Sequence, residues 1–487
     1  MTTPASAGEE VAVEQRHLDL AHERLAAMRA TAERVLAEIR ATGGGDLDLL
    51  AALARRVTLL GEVAPPLCFG RIDEEGGESW HIGRRHVEDE AGDPVVVEWR
   101  APVAAPFYRA GAASPMGLRR RRQILVEGRR VVAVADDVFG GQGARSTDEG
   151  PALRGGDALL AELERARTGE MLDIVATIQA EQDEVIRAPL AGVMAVQGGP
   201  GTGKTAIGLH RVAYLLYNHP DLARAGVLVL GPSRAFLRYI AQVLPSLGEE
   251  AVTQVTIEDL VPKVRVKADE PDEVAHLKGD ARMALVLAGA LADRRQPLRD
   301  DLEILAERAR VRVPAAQVND LVATLAARPG PYLAGRTAAR ARLAALAAAV
   351  WRAGELVVDA DPTRRLASAP ELRAALDRLW PSVSAPALVD DLLTRPDRLA
   401  AAAAGVLDPG EQRALLRPPA ATLGKVRWTA ADLALVDEAR SLLEGRGRTY
   451  GHVVVDEAQD LSPMQLRMVA RRAPAGSVTV LGDLAQS

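Results

Sequence analysis

The spacing of apolar residues changes several times along the chain, and each change marks a different kind of element. Leu18, Ala21, Leu25, Met28, Ala32, Val35 and Ile39 recur at alternating intervals of three and four, with charged residues between them. Such a seam of a and d positions predicts one long helix over 9–40, about 48 Å at 1.5 Å per residue. Gly43-Gly44-Gly45 breaks it, and Asp46 is placed to cap a return helix carrying Leu50, Leu53, Val57 and Leu60. A helical hairpin over 1–61 is therefore expected, as a helical pair packed on its own domain or as a protruding probe for a partner.

The period shortens to two over 62–150. Cys68-Phe69-Gly70-Arg71-Ile72, Trp80-His81-Ile82, Val95-Val96-Val97-Glu98-Trp99, Gln123-Ile124-Leu125-Val126 and Val131-Val132-Ala133-Val134 read as short strands between glycine-bearing turns, a small antiparallel β module. The basic run 119–122 beside it is read as a solvated face or a polyanion contact. From 151 to 189 the pattern is helical. It then alternates: strands at Val193-Met194-Ala195-Val196, Val227-Leu228-Val229-Leu230 and 252–256, with an amphipathic helix over 206–217 after the first. Residues 263–447, rich in Ala, Leu and Arg, predict one large all-helical insertion. The strand pattern resumes at His452-Val453-Val454-Val455 and Val478-Thr479-Val480-Leu481. Strands alternating with helices predict an α/β fold with a RecA-like parallel sheet, split into 151–262 and 448–487 by the insertion.

A length of 487 residues leaves room for several domains with real cores. Net charge is −6 with both signs interspersed, so any nucleic-acid contact is a local groove rather than a global basic coat. Cys68 is the single cysteine, which excludes an intrachain disulfide and a cysteine-based zinc site. The first ten residues have no apolar core behind a basic start, and no apolar stretch is long enough to span a bilayer. A soluble, cytoplasmic protein with no membrane partner is expected.

The chemistry concentrates in 198–205. Gly198, Gly199, Pro200, Gly201, Thr202, Gly203, Lys204 and Thr205 make a glycine-rich phosphate-binding loop between a strand and a helix. Its backbone N–H groups and the positive helix end suit phosphate oxygens, Lys204 reaches β/γ-phosphates, and the Thr205 hydroxyl suits Mg²⁺. Two acidic pairs compete as the metal-binding partner. Asp437-Glu438 lies within 430–443, a helical pattern after a Trp428-Thr429 cap, and reads as a solvated helix face. Asp456-Glu457 ends a β-branched run, where a strand tip presents carboxylates to a nucleotide. We assign Asp456 to Mg²⁺ and Glu457 to the attacking water as general base, with Gln486 after the next strand tip sensing the γ-phosphate.

In this order, Gln182, the loop 198–205, Thr256, Asp456-Glu457-Ala458-Gln459-Asp460 and Gly482-Asp483-Leu484-Ala485-Gln486 resemble the motifs of superfamily 1 helicases of the UvrD/Rep type. Four longer phrases narrow the resemblance to HelD, a family of helicase-like ATPases that bind bacterial RNA polymerase. They are Phe69-Gly70-Arg71-Ile72-Asp73; Glu98-Trp99-Arg100-Ala101-Pro102 with Phe107-Tyr108; Leu209-His210-Arg211-Val212-Ala213-Tyr214-Leu215-Leu216-Tyr217; and Val243-Leu244-Pro245-Ser246-Leu247-Gly248-Glu249. The resemblance implies ATP as the nucleotide and Gln182 as an amide contact to adenine. It also implies RNA polymerase core as partner, the hairpin as a secondary-channel probe, and 263–447 as a clamp arm in the primary channel. Pro232-Ser233-Arg234 and Thr256 align with DNA-contacting motifs of true helicases. Ser487 follows directly on the third core motif, and the second RecA-like domain of such motors, with its arginine fingers, is not in this sequence. An arginine finger contributes about 10³–10⁵ in rate, so a truncated motor that binds ATP·Mg²⁺ but hydrolyses it weakly is the expectation. A DNA-unwinding repair helicase and a non-catalytic polymerase-binding module stand as the alternatives.

Overall fold

The computed structural model describes residues 7–42, 46–61, 66–139, 174–199, 201–241, 243–246, 252–306, 309–354 and 362–483. They gather into two compact units, one drawn from 1–254, 454–458 and 477–487, the other from 255–453 and 459–476.

In the first unit the long helix α1 (Ala7–Thr42) and its return helix α2 (Leu47–Gly61) form as the spacing predicts. α1 is not free along its length. Leu18, Ala21 and Leu25 share a core with Cys68, Val87, Val96 and Ile124 of a six-stranded sheet, so its first half belongs to the β module. The strands are β1 (Cys68–Glu74), β2 (Ser79–Gly83), β3 (Val87–Glu88), β4 (Pro94–Glu98), β5 (Leu118–Glu127) and β6 (Arg130–Val138), in the order β3-β4-β2-β1-β5-β6. Their pairings match the antiparallel expectation except for β2 and β4, which run parallel. The excursion over 84–93 returns the chain in the direction it left.

Within the arginine run in β5 only Arg119 is exposed as a solvated face would be; the other three are partly or fully buried in ion pairs. Arg120 pairs with Asp73, Arg121 with Asp137, and buried Arg122 with Glu10, Glu14 and Asp136. Glu14 of α1 also meets Arg71 and His81. Burial opposes its ionisation, but the His81, Arg122 and Arg71 contacts outweigh burial and hold its carboxyl at about 2. Strand register sets each of the three opposite an acid, Arg120 facing Asp73 on β1 and Arg121 and Arg122 facing Asp137 and Asp136 on β6.

A five-stranded sheet follows, made of β7 (Val193–Gln197), β8 (Val227–Gly231), β9 (Val252–Thr256), β12 (His452–Val455) and β13 (Val478–Gly482) in the order β7-β13-β12-β8-β9. β13 and β7 pair in parallel, Gly482 opposite Gln197. The chain crosses the sheet out of sequence order, as in doubly wound α/β folds, whose ligands bind at the carboxyl ends of strands. The described part of 151–189 holds a 3₁₀ turn at Val175–Thr177 and a helix at Ala180–Arg187.

The second unit is mostly helical around one continuous core that includes Leu287, Leu343, Leu388, Leu435 and Met468. Two strands interrupt the expected all-helical run: β10 (Leu302–Ala306) and β11 (Ala309–Val313) pair antiparallel, Ile304 opposite Val311. Their period-two alternation is present in the sequence but lies inside Ala- and Leu-rich helical surroundings. Thr429 caps the helix Ala430–Glu444 as expected. Asp437 and Glu438, however, are not solvated. They are 1% and 4% exposed and bind Arg472, Arg471 and Arg467 on the helix Pro463–Arg472, with Arg440 completing the set around Asp437. Burial favours the protonated form of Asp437, but the Arg472 and Arg471 contacts outweigh it and lower its pKa. The acidic pair is a clasp between two helices.

Candidate nucleotide-binding site

β7 ends at Gln197 and the loop begins. Gly201 and Gly203 take φ of +74° and +82°, left-handed values that side chains with a Cβ resist, and Gly203 caps the helix Lys204–Asn218. The Thr202 hydroxyl donates to the Gly199 carbonyl at 2.9 Å. Lys204 Nζ donates to the Gly198 and Gly199 carbonyls at 2.6 and 3.0 Å, so its ammonium curls over the loop. The helix is buried from Ala206 to Ala213, His210 and Arg211 included. Gly208 lets it lie against β13: a Cβ there would stand 2.5 Å from Leu481 Cδ1.

Asp456 follows β12, and its backbone N–H donates to the Leu230 carbonyl at 2.9 Å. Its Oδ2 accepts the Thr205 hydroxyl at 2.6 Å and its Oδ1 the Glu457 N–H at 2.9 Å. The loop and the acidic tip, 251 residues apart, thus meet through one hydrogen bond. Burial raises the Asp456 pKa, the Thr205 and Glu457 hydrogen bonds oppose it, and the net shift is upward. Glu457 carries φ +49°, strained for a side chain of its kind, at the position assigned to the water-activating base. Strain of this sort clusters at functional sites.

Gln182 lies beside the loop. Its Oε1 accepts the Gln179 N–H at 3.0 Å, and its Nε2 is 3.7 Å from where a Gly203 Cβ would stand. Pro200 and Gln486 lie outside the described residues. Ser233 caps the helix Arg234–Ile240 by accepting the Phe236 N–H at 3.1 Å. In the second unit, Thr256 donates its N–H and hydroxyl to Asp259 Oδ2 at 3.1 and 2.8 Å.

The residues fit a magnesium-bound triphosphate. Thr205 and Asp456 oxygens stand together at the loop end, and Lys204 offers the cation. Among the described residues no three His, Cys, Asp or Glu gather as a metal-only site, so phosphate oxygens would complete the coordination.

Three of the four longer phrases, at 69–73, 98–108 and 209–217, meet in a junction within the first unit, while residues 247–249 of the fourth lie outside the described residues. Arg187, on the glutamine helix, donates to the Trp99 carbonyl at 2.6 Å and to the Arg100 and Ala101 carbonyls at 3.3 and 3.2 Å. Asp183 pairs with Arg187 at 2.7 Å and with Arg109 at 2.6 Å. Buried Arg100 pairs with Glu98, donates to the Ala213 carbonyl at 3.2 Å and lies over the Tyr217 ring at 4.7 Å. Tyr108 donates to the Val175 carbonyl at 3.1 Å, and Phe107 fills the space a Gly70 side chain would take. The β module is thus bolted to the loop helix. Sequence reasoning used these phrases for resemblance and missed this role; charged residues inside the apolar run 209–217 were the available signal.

A family model described as "AAA domain" matches residues 182–487, beginning at Gln182 itself. A second, described as "DNA helicase IV HelD, N-terminal domain", matches residues 11–151. Among curated proteins none matches the chain. The first model covers well over half of the residues and the second covers the hairpin and its sheet, so the chain belongs to the AAA-domain family as a HelD-like superfamily 1 helicase.

Proposed function

We propose that the chain binds ATP·Mg²⁺ at 198–205 and uses it, in the cytoplasm, to act on bacterial RNA polymerase core, releasing nucleic acid and recycling the enzyme. The Thr205–Asp456 contact carries the nucleotide half of this reading, because it joins the two motifs that a triphosphate and its metal require. Lys204 would exchange the loop carbonyls for phosphate oxygens, Thr205 and Asp456 would hold Mg²⁺, and Glu457 would take the proton from the attacking water. Mg²⁺ supplies charge neutralisation at the phosphates. Gln486, beyond the end of β13, is assigned to the γ-phosphate, and Gln182 to adenine. Turnover by this chain alone is proposed to be weak: the loop, Thr205 and the acidic pair bring a single cation, Lys204, to the phosphates.

The match of 11–151 to a HelD N-terminal domain supports the polymerase half, with α1 and α2 as the probe, and by resemblance alone 263–447 would be the arm. Deleting 1–61 is a poor test, because Leu18, Ala21 and Leu25 are core residues of the β module. Replacing 36–54 with a short glycine-serine turn removes only the outer hairpin. Capture of polymerase core is expected to fall at least tenfold while ATP binding holds; unchanged capture overturns the probe assignment. The same description names a DNA helicase, which supports a second reading in which DNA is the substrate. Single-stranded DNA that stimulates ATPase, with no polymerase capture, selects it.

A further inference from the structure

Arg211 is 1% exposed, and among the described residues no carboxylate pairs with it. Burial without a counter-ion lowers its pKa, yet five contacts hold it. Nη1 donates to the carbonyls of Val185, Ile186 and Ala188 at 3.0, 3.3 and 2.6 Å, and Nη2 to Pro189 at 2.7 Å. Nε donates to Thr479 Oγ1 on β13 at 3.0 Å. A guanidinium suits this position, because its donors, held in a rigid fork, meet a cluster of carbonyls at and just past a helix end, where the backbone dipole is negative. The helix so capped is Ala180–Arg187, which carries Gln182, and Arg211 itself stands two turns beyond Lys204 on the loop helix.

We propose that Arg211 is a positioning residue for nucleobase recognition: it clamps the glutamine helix to the loop helix and β13, fixing the Gln182 amide at the distance from the phosphate loop that adenine requires. This rests on the assignment of ATP to the site. A purely scaffolding arginine and a base-positioning one differ in what their loss does to ATP against GTP, because guanine presents the O6 acceptor where adenine presents the N6 donor.

The test is displacement of a fluorescent ADP analogue from the full chain by ATP and by GTP, with Mg²⁺. The wild type is expected to prefer ATP by about tenfold, the size of one or two neutral hydrogen bonds. Arg211→Met is expected to weaken ATP about tenfold and GTP less than about twofold. Arg211→Lys, which keeps charge and donors but not the fork, falls between. Gln182→Ala matches Arg211→Met, and the double variant is no worse than either, the signature of two residues acting as one unit. Equal weakening of ATP and GTP, a preserved ATP preference, or additive losses overturn the proposal. If Arg211→Met does not fold, Arg211→Lys and Thr479→Val carry the same comparison. A wild type that binds both nucleotides equally removes base recognition and this proposal with it, leaving triphosphate binding in place. A wild type that binds neither refutes the nucleotide reading itself.

Discussion

Two acidic pairs of near-identical local sequence lie in different surroundings, and on the proposed reading exchanging their charges for neutral groups should separate stability from function. Asp437→Ala removes the acceptor of hydrogen bonds from Arg472 at 2.6 and 2.9 Å, Arg471 at 2.5 Å and Arg440 at 3.2 Å. It strands the buried Arg472 guanidinium, while Arg471 keeps its pair with Glu438. Breaking one side of a buried ion pair costs about 3–5 kcal/mol, a large share of the roughly 5–15 kcal/mol that holds a domain folded. With a urea slope of about 2 kcal/mol/M, the second unit's midpoint should fall by about 2 M. The lowered pKa of Asp437 gives the sign with pH: its stabilisation is present above the ordinary aspartate value and disappears as pH drops through the folded one. Asp456 is the reverse. Its raised pKa means the buried carboxylate costs stability at neutral pH, so Asp456→Asn should leave stability unchanged or raise it by up to about 1 kcal/mol. That variant should lose at least tenfold in Mg²⁺-dependent ATP affinity, whereas Asp437→Ala, measured while still folded, should lose none. Urea denaturation followed by tryptophan fluorescence, and calorimetric ATP titration, read the two effects. A midpoint shift under about 0.3 M for Asp437→Ala, or a greater nucleotide defect there than in Asp456→Asn, refutes the assignment of the two pairs.

Gly208→Ala places a methyl 2.5 Å from Leu481 Cδ1, so it should cost about 1–3 kcal/mol and weaken ATP binding by moving the loop helix off β13; Leu481→Val in the same chain should restore part of the loss, as thermal melts and ATP titration will show. His17 is held at about 4 by burial and by the facing His81 ring, stacked at 3.4 Å, with Glu14, Arg71 and the Val95 carbonyl also bearing on it. The unfolded chain therefore binds an extra proton between about pH 6.5 and 4, and the docking of α1 on the β module should weaken over that window. Hydrogen exchange of α1 amides measures it, and His17→Gln should flatten the response.

Much of the fold was legible because its elements are locally consistent. The seam in α1, the glycine break after it and the alternation in β5 and β6 each specify one structure, and so does the strand–loop–helix frame of the phosphate site. The failures have a common physical origin. Arg120 to Arg122 and Asp437–Glu438 read as solvated from composition, because a charge in sequence carries no label for the partner that buries it. Those partners are Asp73, Asp136 and Glu14 in one case and Arg467, Arg471 and Arg472 in the other, many tens of residues away or on another element. β10 and β11 were hidden because a short alternation inside Ala-rich sequence yields to its helical surroundings until a partner strand is present. Arg211 shows the same limit at the site. Its role depends on carbonyls at 185–189, which no side-chain pattern records.

The decisive measurement is Mg²⁺-dependent ATP binding by the full chain beside its Lys204→Ala and Thr205→Val variants. Saturable binding is expected in the wild type, with a loss of at least tenfold in each variant and, for Thr205→Val, most of the Mg²⁺ dependence. Equal affinity in all three, with or without Mg²⁺, contradicts the joining of loop and acidic tip into one triphosphate site.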